Sequence, residues 1–377
     1  MKKSLIIKLL IMALAMVFVF ALASCDEGLF GAEEEYLDNE DLADLNKDLK
    51  NDKPSEGLSF KEGTDKETGN KYYSVTGMGE CTDTVLVIPS EYNGLPVTKV
   101  SSQAFSETAV ERVYFPETIT NIAHHAFSDC EALTSIALPN SLKTLDGSAF
   151  AGCKSATAVY LGQNLTKISK SAFEGCESLK VVYLPASLEE MGTNVFNGCK
   201  NLGKVVYECK NMKKIADSTF YNCETLQEIV LPDALTEIGD DAFRGCESLG
   251  EFDIPDTVTK VGNRAFMRCT ALTKLVIPAS ITEWGNFVTY FCKNLSTMQY
   301  EGTKAEWLLI KCYPPLEKGE EQRVVNPNES LSMYLSVSAT ELVCSDGSYN
   351  ILDIMEEHGF KDSAALNPDA GKVESDE

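Results

Sequence analysis

The stretch "SAFEGCESLKVVYLP", Ser171 to Pro185, decides the fold because it keeps returning. Upstream stands "SAFAGCKSATAVYLG". Downstream follow "NVFNGCKNLGKVVYE", "TFYNCETLQEIVLP", "AFRGCESLGEFDIP" and "AFMRCTALTKLVIP". The phenylalanine falls at Phe105, Phe127, Phe150, Phe173, Phe196, Phe220, Phe243 and Phe266, with gaps of 22, 23, 23, 23, 24, 23 and 23. The cysteine falls at Cys130, Cys153, Cys176, Cys199, Cys223, Cys246, Cys269 and Cys292, with gaps of 23, 23, 23, 24, 23, 23 and 23. Two series held in phase mark one unit repeated along an axis, and a period of this size is the signature of stacked repeats.

Within a unit the apolar positions are regular: Leu133, Ile136, Leu138, Leu142, Leu145, Ala149 and Phe150. Leu-x-x-Ile-x-Leu reads as a short strand with alternating sides. Pro139 and its equivalents Pro116, Pro185, Pro232, Pro255 and Pro278 end it, because proline cannot donate to a ladder. Seven buried side chains at roughly 2 kcal/mol each contribute about 14 kcal/mol. Ordering the 23 residues of a coil costs about 1–2 kcal/mol apiece, so a coil is stable only when neighbours stack. The expected architecture is a mainly β, right-handed solenoid with one parallel sheet, short loops and helical turns, in about nine to ten coils of ~23 residues.

The pattern "LxxIxLPxxLxxIxxxAFxxCxx" resembles the BspA-like (Treponema-type) leucine-rich repeat of bacterial surface lipoproteins. The match runs from about Tyr72 to Gly347. "VLVIPSEYNGLPVTKVSSQAF", Val85 to Phe105, resembles that family's first repeat. "MQYEGTKAEW", Met298 to Trp307, and "ELVCSDGS", Glu341 to Ser348, resemble its closing segments. The resemblance implies a leucine-rich-repeat solenoid that adheres to host or matrix protein, to other cells or to glycan, without covalent chemistry. Three places depart from the pattern. Thr289 stands where Phe is expected, with Phe287 and Phe291 as candidate replacements; one residue is inserted between Val205 and Ile215; and "PPLEKGEEQRVVNPNES", Pro314 to Ser330, interrupts the closing module.

The N-terminus addresses the compartment. Lys2 and Lys3, the apolar run Leu5 to Leu22 and the junction "LASC" have the layout of a secretory leader. The junction resembles a bacterial lipobox, which implies cleavage before Cys25 and diacylation of its sulfur; an uncleaved membrane anchor is the alternative. The expected organisation is a leader over 1–24, an acidic flexible tether over 25–55, with a short helix around Glu33 to Leu49 as the alternative, and an N-terminal cap with the first repeat over 56–105. Repeats follow over 106–300, then a closing module over 301–348 with an exposed loop at 314–330, and an acidic tail over 349–377. A net charge of −24 argues against nucleic acid and against charge-driven docking on anionic lipid, which leaves the lipid anchor to hold an extracytoplasmic protein on a bacterial membrane.

For the ladder cysteines, packing as small buried hydrophobes is the first reading and local disulfides the second. Zinc sites need paired ligands such as C-x2-C, and the chain has none. Cys312 and Cys344 share the closing module and are a candidate disulfide in an exported chain. His124 and His125 read as solvated loop residues, and no nucleophile elbow, zincin, phosphate-loop or dinucleotide motif occurs. No enzyme activity, cofactor or metal is expected. The position between the last two apolar residues of the strand faces outward: Tyr114, Ala137, Tyr160, Tyr183, Val206, Val230, Asp253, Val276 and Gln299. Tyr114, Tyr160, Tyr183, Val206, Val230, Asp253 and Val276 are the candidate ligand contacts, since Tyr gives a rigid surface with a hydroxyl. Strand propensity for Tyr and Val is the competing explanation. Arg112, Lys180, Lys204, Glu228, Glu251 and Lys274 would form a polar rim. The expected function is macromolecular adhesion by a monomer through this face; a glycan-capturing module and a structural envelope spacer are the alternatives.

Overall fold

The computed structural model describes residues 36–312, 341–351 and 353–354. The leader, Cys25, the loop at 314–330 and the acidic end of the chain lie outside the described residues.

The coils follow from the repeat. The apolar positions of the unit from Leu133 to Phe150 are all buried. Each coil opens with a strand of three or four residues: Arg112–Tyr114, Ser135–Ala137, Ala158–Tyr160, Val181–Leu184, Lys204–Tyr207, Glu228–Val230, Glu251–Asp253, Lys274–Ile277 and Thr297–Tyr300. Most of these pair in parallel with the coils on either side, Tyr160 opposite Ala137 and Tyr183 opposite Val206. They form the expected sheet along one side. The pairing is broken between Arg112–Tyr114 and Ser135–Ala137, and between Glu228–Val230 and Glu251–Asp253.

After the proline a narrower ladder of two-residue strands runs from Asn121–Ile122 to Glu283–Trp284. Its outward residue alternates in sign along Lys167, Glu190, Lys214, Glu237, Lys260 and Glu283. Lys167 meets Glu190 at 2.7 Å, and Glu237 is shared by Lys214 at 3.0 Å and Lys260 at 3.4 Å. Alternation spares the stack the like-charge repulsion that identical repeats would create. This ladder breaks once, between Glu190–Met191 and Lys214–Ile215, where the extra residue is inserted.

Two residues per coil are left-handed, one two positions before the phenylalanine and one two positions after. Ser171 (φ 59) and Gly175 (φ 70) flank Phe173, and Asn194 (φ 62) and Gly198 (φ 72) flank Phe196. This turns the N–H groups of Ser171, Phe173 and Gly175 onto the carbonyls of Thr193, Val195 and Asn197 in the next coil. The "GC" of the motif is therefore a turn requirement, since glycine takes positive φ without strain. The phenylalanine rings stack face to face from Phe105 to Phe266, with centroids 4.9–5.9 Å apart.

The cysteines have a second duty besides volume. Each ladder thiol donates to the carbonyl of the phenylalanine one coil back: Cys176 to Phe150 at 3.3 Å, Cys199 to Phe173 at 3.2 Å, Cys223 to Phe196 at 3.2 Å. The same bond recurs at Cys130, Cys153, Cys246, Cys269 and Cys292. Those carbonyls already accept one N–H from their own turn, so the thiol fills the second lone pair. All eight are buried free thiols.

The last coil departs from expectation. Phe287 (φ 55) and Phe291 (φ 61) occupy the two left-handed turn positions, so neither enters the slot of Thr289. They lie half-buried against Tyr290. Thr289 is buried and its hydroxyl has no partner. Trp284, in the narrow ladder of the same coil, is buried with its ring 5.8 Å from that of Trp307. Strand Glu341–Cys344 then joins the sheet in parallel, and Gly347–Asn350 folds back on it. Ile351 and Ile354 are buried in the same core, so the closing module extends past residue 348. Cys344 is a free buried thiol pushed up to about 11 by burial; the side chain of Cys312, its expected partner, lies outside the described residues.

At the other end, Ser59–Thr64 pairs antiparallel with Lys71–Gly77, which joins Leu95–Val100. The tether expected over 25–55 differs from the structure from Tyr36 on. Asn39–Ala43 is a helical turn capped by Asp38, Lys47–Asn51 is a short 3-10 turn, and Leu42 and Leu49 are buried. Sequence composition missed this because the segment is acidic and buries its few apolar residues against the solenoid rather than in a core of its own.

Candidate functional site: the sheet face

Register places two files of side chains on the outer face of the sheet. The third strand position holds the expected file from Tyr114 to Gln299. The first holds Arg112, Ser135, Ala158, Val181, Lys204, Glu228, Glu251, Lys274 and Thr297. The rim expected at Lys180 is thus one residue off: Val181 pairs with Ala158 and Lys204. Ser135, Ala158 and Val181 were not anticipated as face residues, and they make the middle of the first file small and apolar.

The chain's own N-terminal segment lies over that middle. Leu42, fully buried, packs against Ala158 and Val181, with Tyr36, Leu37, Leu45, Tyr160 and Tyr183 around it. Asn46, also buried, adopts φ 59 and bridges the break between two strands. Its amide donates to the Val113 carbonyl at 3.1 Å, and its oxygen accepts from Arg112 Nε at 3.0 Å and Ser135 Oγ at 3.2 Å. The Arg112 guanidinium forks onto Asp48 at 2.6 and 3.1 Å, which holds that carboxyl below its ordinary range. Asn39 reaches Glu208 at 2.9 Å, and Lys204 sits over the Tyr36 ring at 5.8 Å. A Cβ on Gly203 would stand 2.0 Å from the Tyr36 hydroxyl. Ser55 closes the path by pairing with Val87. The segment therefore crosses the strands from Lys204 back to Val87, against the direction of stacking.

Of the expected contacts, Tyr160 and Tyr183 are under this segment, and burial raises the Tyr183 phenol. Tyr114, next in chain to the carbonyl that Asn46 caps, is half-buried. Val206 and Val276 are half-buried, Asp253 is exposed, and Val230 is 54% exposed. The face thus has a covered stretch and an open one, and the three tyrosines belong to the covered side. The signal in the sequence was there: Asp38 as a helix cap, then Leu42, Leu45 and Leu49 at near-helical spacing.

Among the described residues no group of three His, Cys, Asp or Glu side chains is arranged to hold a metal, and no helix is long and apolar enough to cross a membrane.

A family model described as BspA type Leucine rich repeat region, in six copies, matches residues 98–226 and 213–306. Among solved structures, a leucine-rich repeat protein of T. pallidum is 30% identical; the alignment covers 52% of this chain and 90% of that one, with a TM-score of 0.47. A leucine-rich cell surface protein of Faecalibacterium prausnitzii is 19% identical over 67% of this chain and 96% of that one, TM-score 0.28. The pneumococcal vaccine antigen PcpA is 18% identical over 78% and 98%, TM-score 0.36. No curated protein matches the chain.

Proposed function

Because the chain belongs to the family of BspA-type leucine-rich repeat proteins, we propose that it is a non-catalytic surface protein, lipid-anchored through Cys25, that binds another macromolecule along its sheet face. The observation that carries the reading is the contrast between the two ladders. The narrow one satisfies itself with alternating ion pairs. The sheet face has a single such pair, Lys204 with Glu228 at 2.8 Å, among the described residues; it holds one peptide segment over Ala158 and Val181, and it leaves Val230 exposed beside Glu251 and Asp253.

Protein is favoured over glycan as the partner. Tyr160 and Tyr183, two of the aromatic rings that would stack on sugar, are packed under the segment, whereas the open stretch is aliphatic and acidic. Its chemistry suits a partner with an apolar contact rimmed by basic groups. The test is binding of the chain to immobilised matrix proteins and to polysaccharides, beside a Val230→Glu/Val276→Glu variant. Protein binding that falls at least tenfold in the variant supports the reading. Binding unchanged by the substitutions, or confined to polysaccharide, overturns it; absence of any ligand returns the spacer role.

A further inference from the structure

We infer that the covered stretch of the sheet face is a docking groove for a short acidic peptide folded as two helical turns about an apolar anchor, and that residues 36–51 are its resident, displaceable occupant. The observations are independent of one another. The segment contacts the solenoid as a ligand would: Leu42 is the anchor in a pocket of Ala158, Val181, Tyr160 and Tyr183, while its charged residues stay outward. It carries five acidic and two basic residues, and the face meets that charge with Arg112 on Asp48; Lys204, paired with Glu228 at 2.8 Å, covers the Tyr36 ring.

The groove is also shaped for it. In the adjoining coils the position of Gly203 holds Lys180 and Gln227, and in others Thr134, Thr157, Thr273 or Ser296; here the missing side chain is where the Tyr36 hydroxyl enters. At Gly250, the other glycine of that file, nothing lies within 4 Å of a built Cβ. The coils themselves do not depend on the segment: the Phe stack and the thiol ladder pass beneath it uninterrupted. An external peptide of the same chemistry binds by exchange, and the tethered copy competes with it at an effective concentration in the millimolar range.

The test adds a labelled synthetic peptide of residues 36–51 to the full chain and to its Leu42→Asp and Gly203→Thr variants. Leu42→Asp undocks the tethered copy and leaves the groove intact, so the peptide should bind this variant saturably and at least about tenfold more tightly than wild type. Gly203→Thr should lose the peptide, as should a peptide carrying Leu42→Asp. Equal affinity for wild type and Leu42→Asp, or no binding to Leu42→Asp, overturns the inference. Loss of cooperative melting in both variants also overturns it, since the segment would then be part of the solenoid core. The inference rests on the sheet face being a binding surface, but no outside ligand enters the assay, so its failure leaves the open-stretch proposal untouched.

Discussion

Alkaline pH should unfold this protein through its thiol ladder. Cys153, Cys199, Cys223, Cys246 and Cys269 are fully buried. Each is held above the ordinary thiol value of 9.0, Cys153 first by a hydrogen bond with the neighbouring Cys176 thiol and the other four first by burial. The folded value is the higher one, so the unfolded chain loses its thiol protons first. The stability that comes from keeping these groups neutral is complete below about pH 9 and is lost as pH climbs toward the folded values. Each pH unit in that window weakens the fold by about 1.4 kcal/mol per thiol. Five thiols give about 7 kcal/mol at pH 10, which is comparable with the ~5–15 kcal/mol that holds a typical protein. Circular dichroism and thiolate absorbance, recorded under a reductant and approached from both pH directions, should show one cooperative transition near pH 10. Cys130, Cys209 and Cys344 are raised as well, so a Cys199→Val/Cys223→Val variant, which removes two of eight raised thiols, should lose roughly a quarter of the slope of stability against pH. The slope is the diagnostic, because each valine also removes a hydrogen bond of about 1 kcal/mol and so moves the midpoint by itself. An unchanged slope in the double variant, or native dichroism with un-ionised thiols at about pH 11, would refute the reasoning.

Four further outcomes are expected. Thr289→Val keeps the volume and removes a buried hydroxyl without a partner, so the urea midpoint should rise by the equivalent of about 1–2 kcal/mol. Phe196→Ala opens the middle of the ring stack and should cost about 3–5 kcal/mol in the same assay. Gly175→Val places a β-branched residue at φ 70 and should cost about 1–2 kcal/mol or more, with Gly175→Asn milder. Cys25→Ala should move the protein from the detergent phase to the aqueous phase and abolish incorporation of labelled fatty acid.

The coil was legible because its determinants are local and repeated. Leu133, Ile136, Leu138 and Phe150 each face inward for a reason visible within one period, and eight copies average out accidents. The thiol-to-carbonyl bond was not legible: it joins Cys199 to Phe173, in a neighbouring coil, and composition alone reads the thiol as volume. Phe287 and Phe291 misled for a related reason. A phenylalanine near an empty core slot suggests repair, but the backbone dihedral at those two positions, set by the inter-coil hydrogen bonds of the turn, points them out of the core. Val181 was passed over in favour of Lys180 because a one-residue shift in a strand exchanges the two faces, and the file was read from its most conspicuous charges.

What sets the covered stretch apart is a departure from repetition on one side of the molecule only. The narrow ladder alternates its charges through six successive coils and pairs them between coils. The first file of the sheet face instead runs Arg112, Ser135, Ala158, Val181, Lys204: a cation, three small or apolar residues, a cation. A repeat that needed only to stack would have no use for that order, because these side chains face away from the core and make no contribution to it. A helix laid across a parallel sheet does need it. Small residues let Leu42 approach the strands, while Arg112 at one end reaches Asp48 and Lys204 at the other covers Tyr36. Beyond Lys204 the same file turns to Glu228, which neutralises Lys204 at 2.8 Å, and then to the exposed Glu251, so the cationic end of the covered stretch stops there and the next carboxylate would repel the acidic segment.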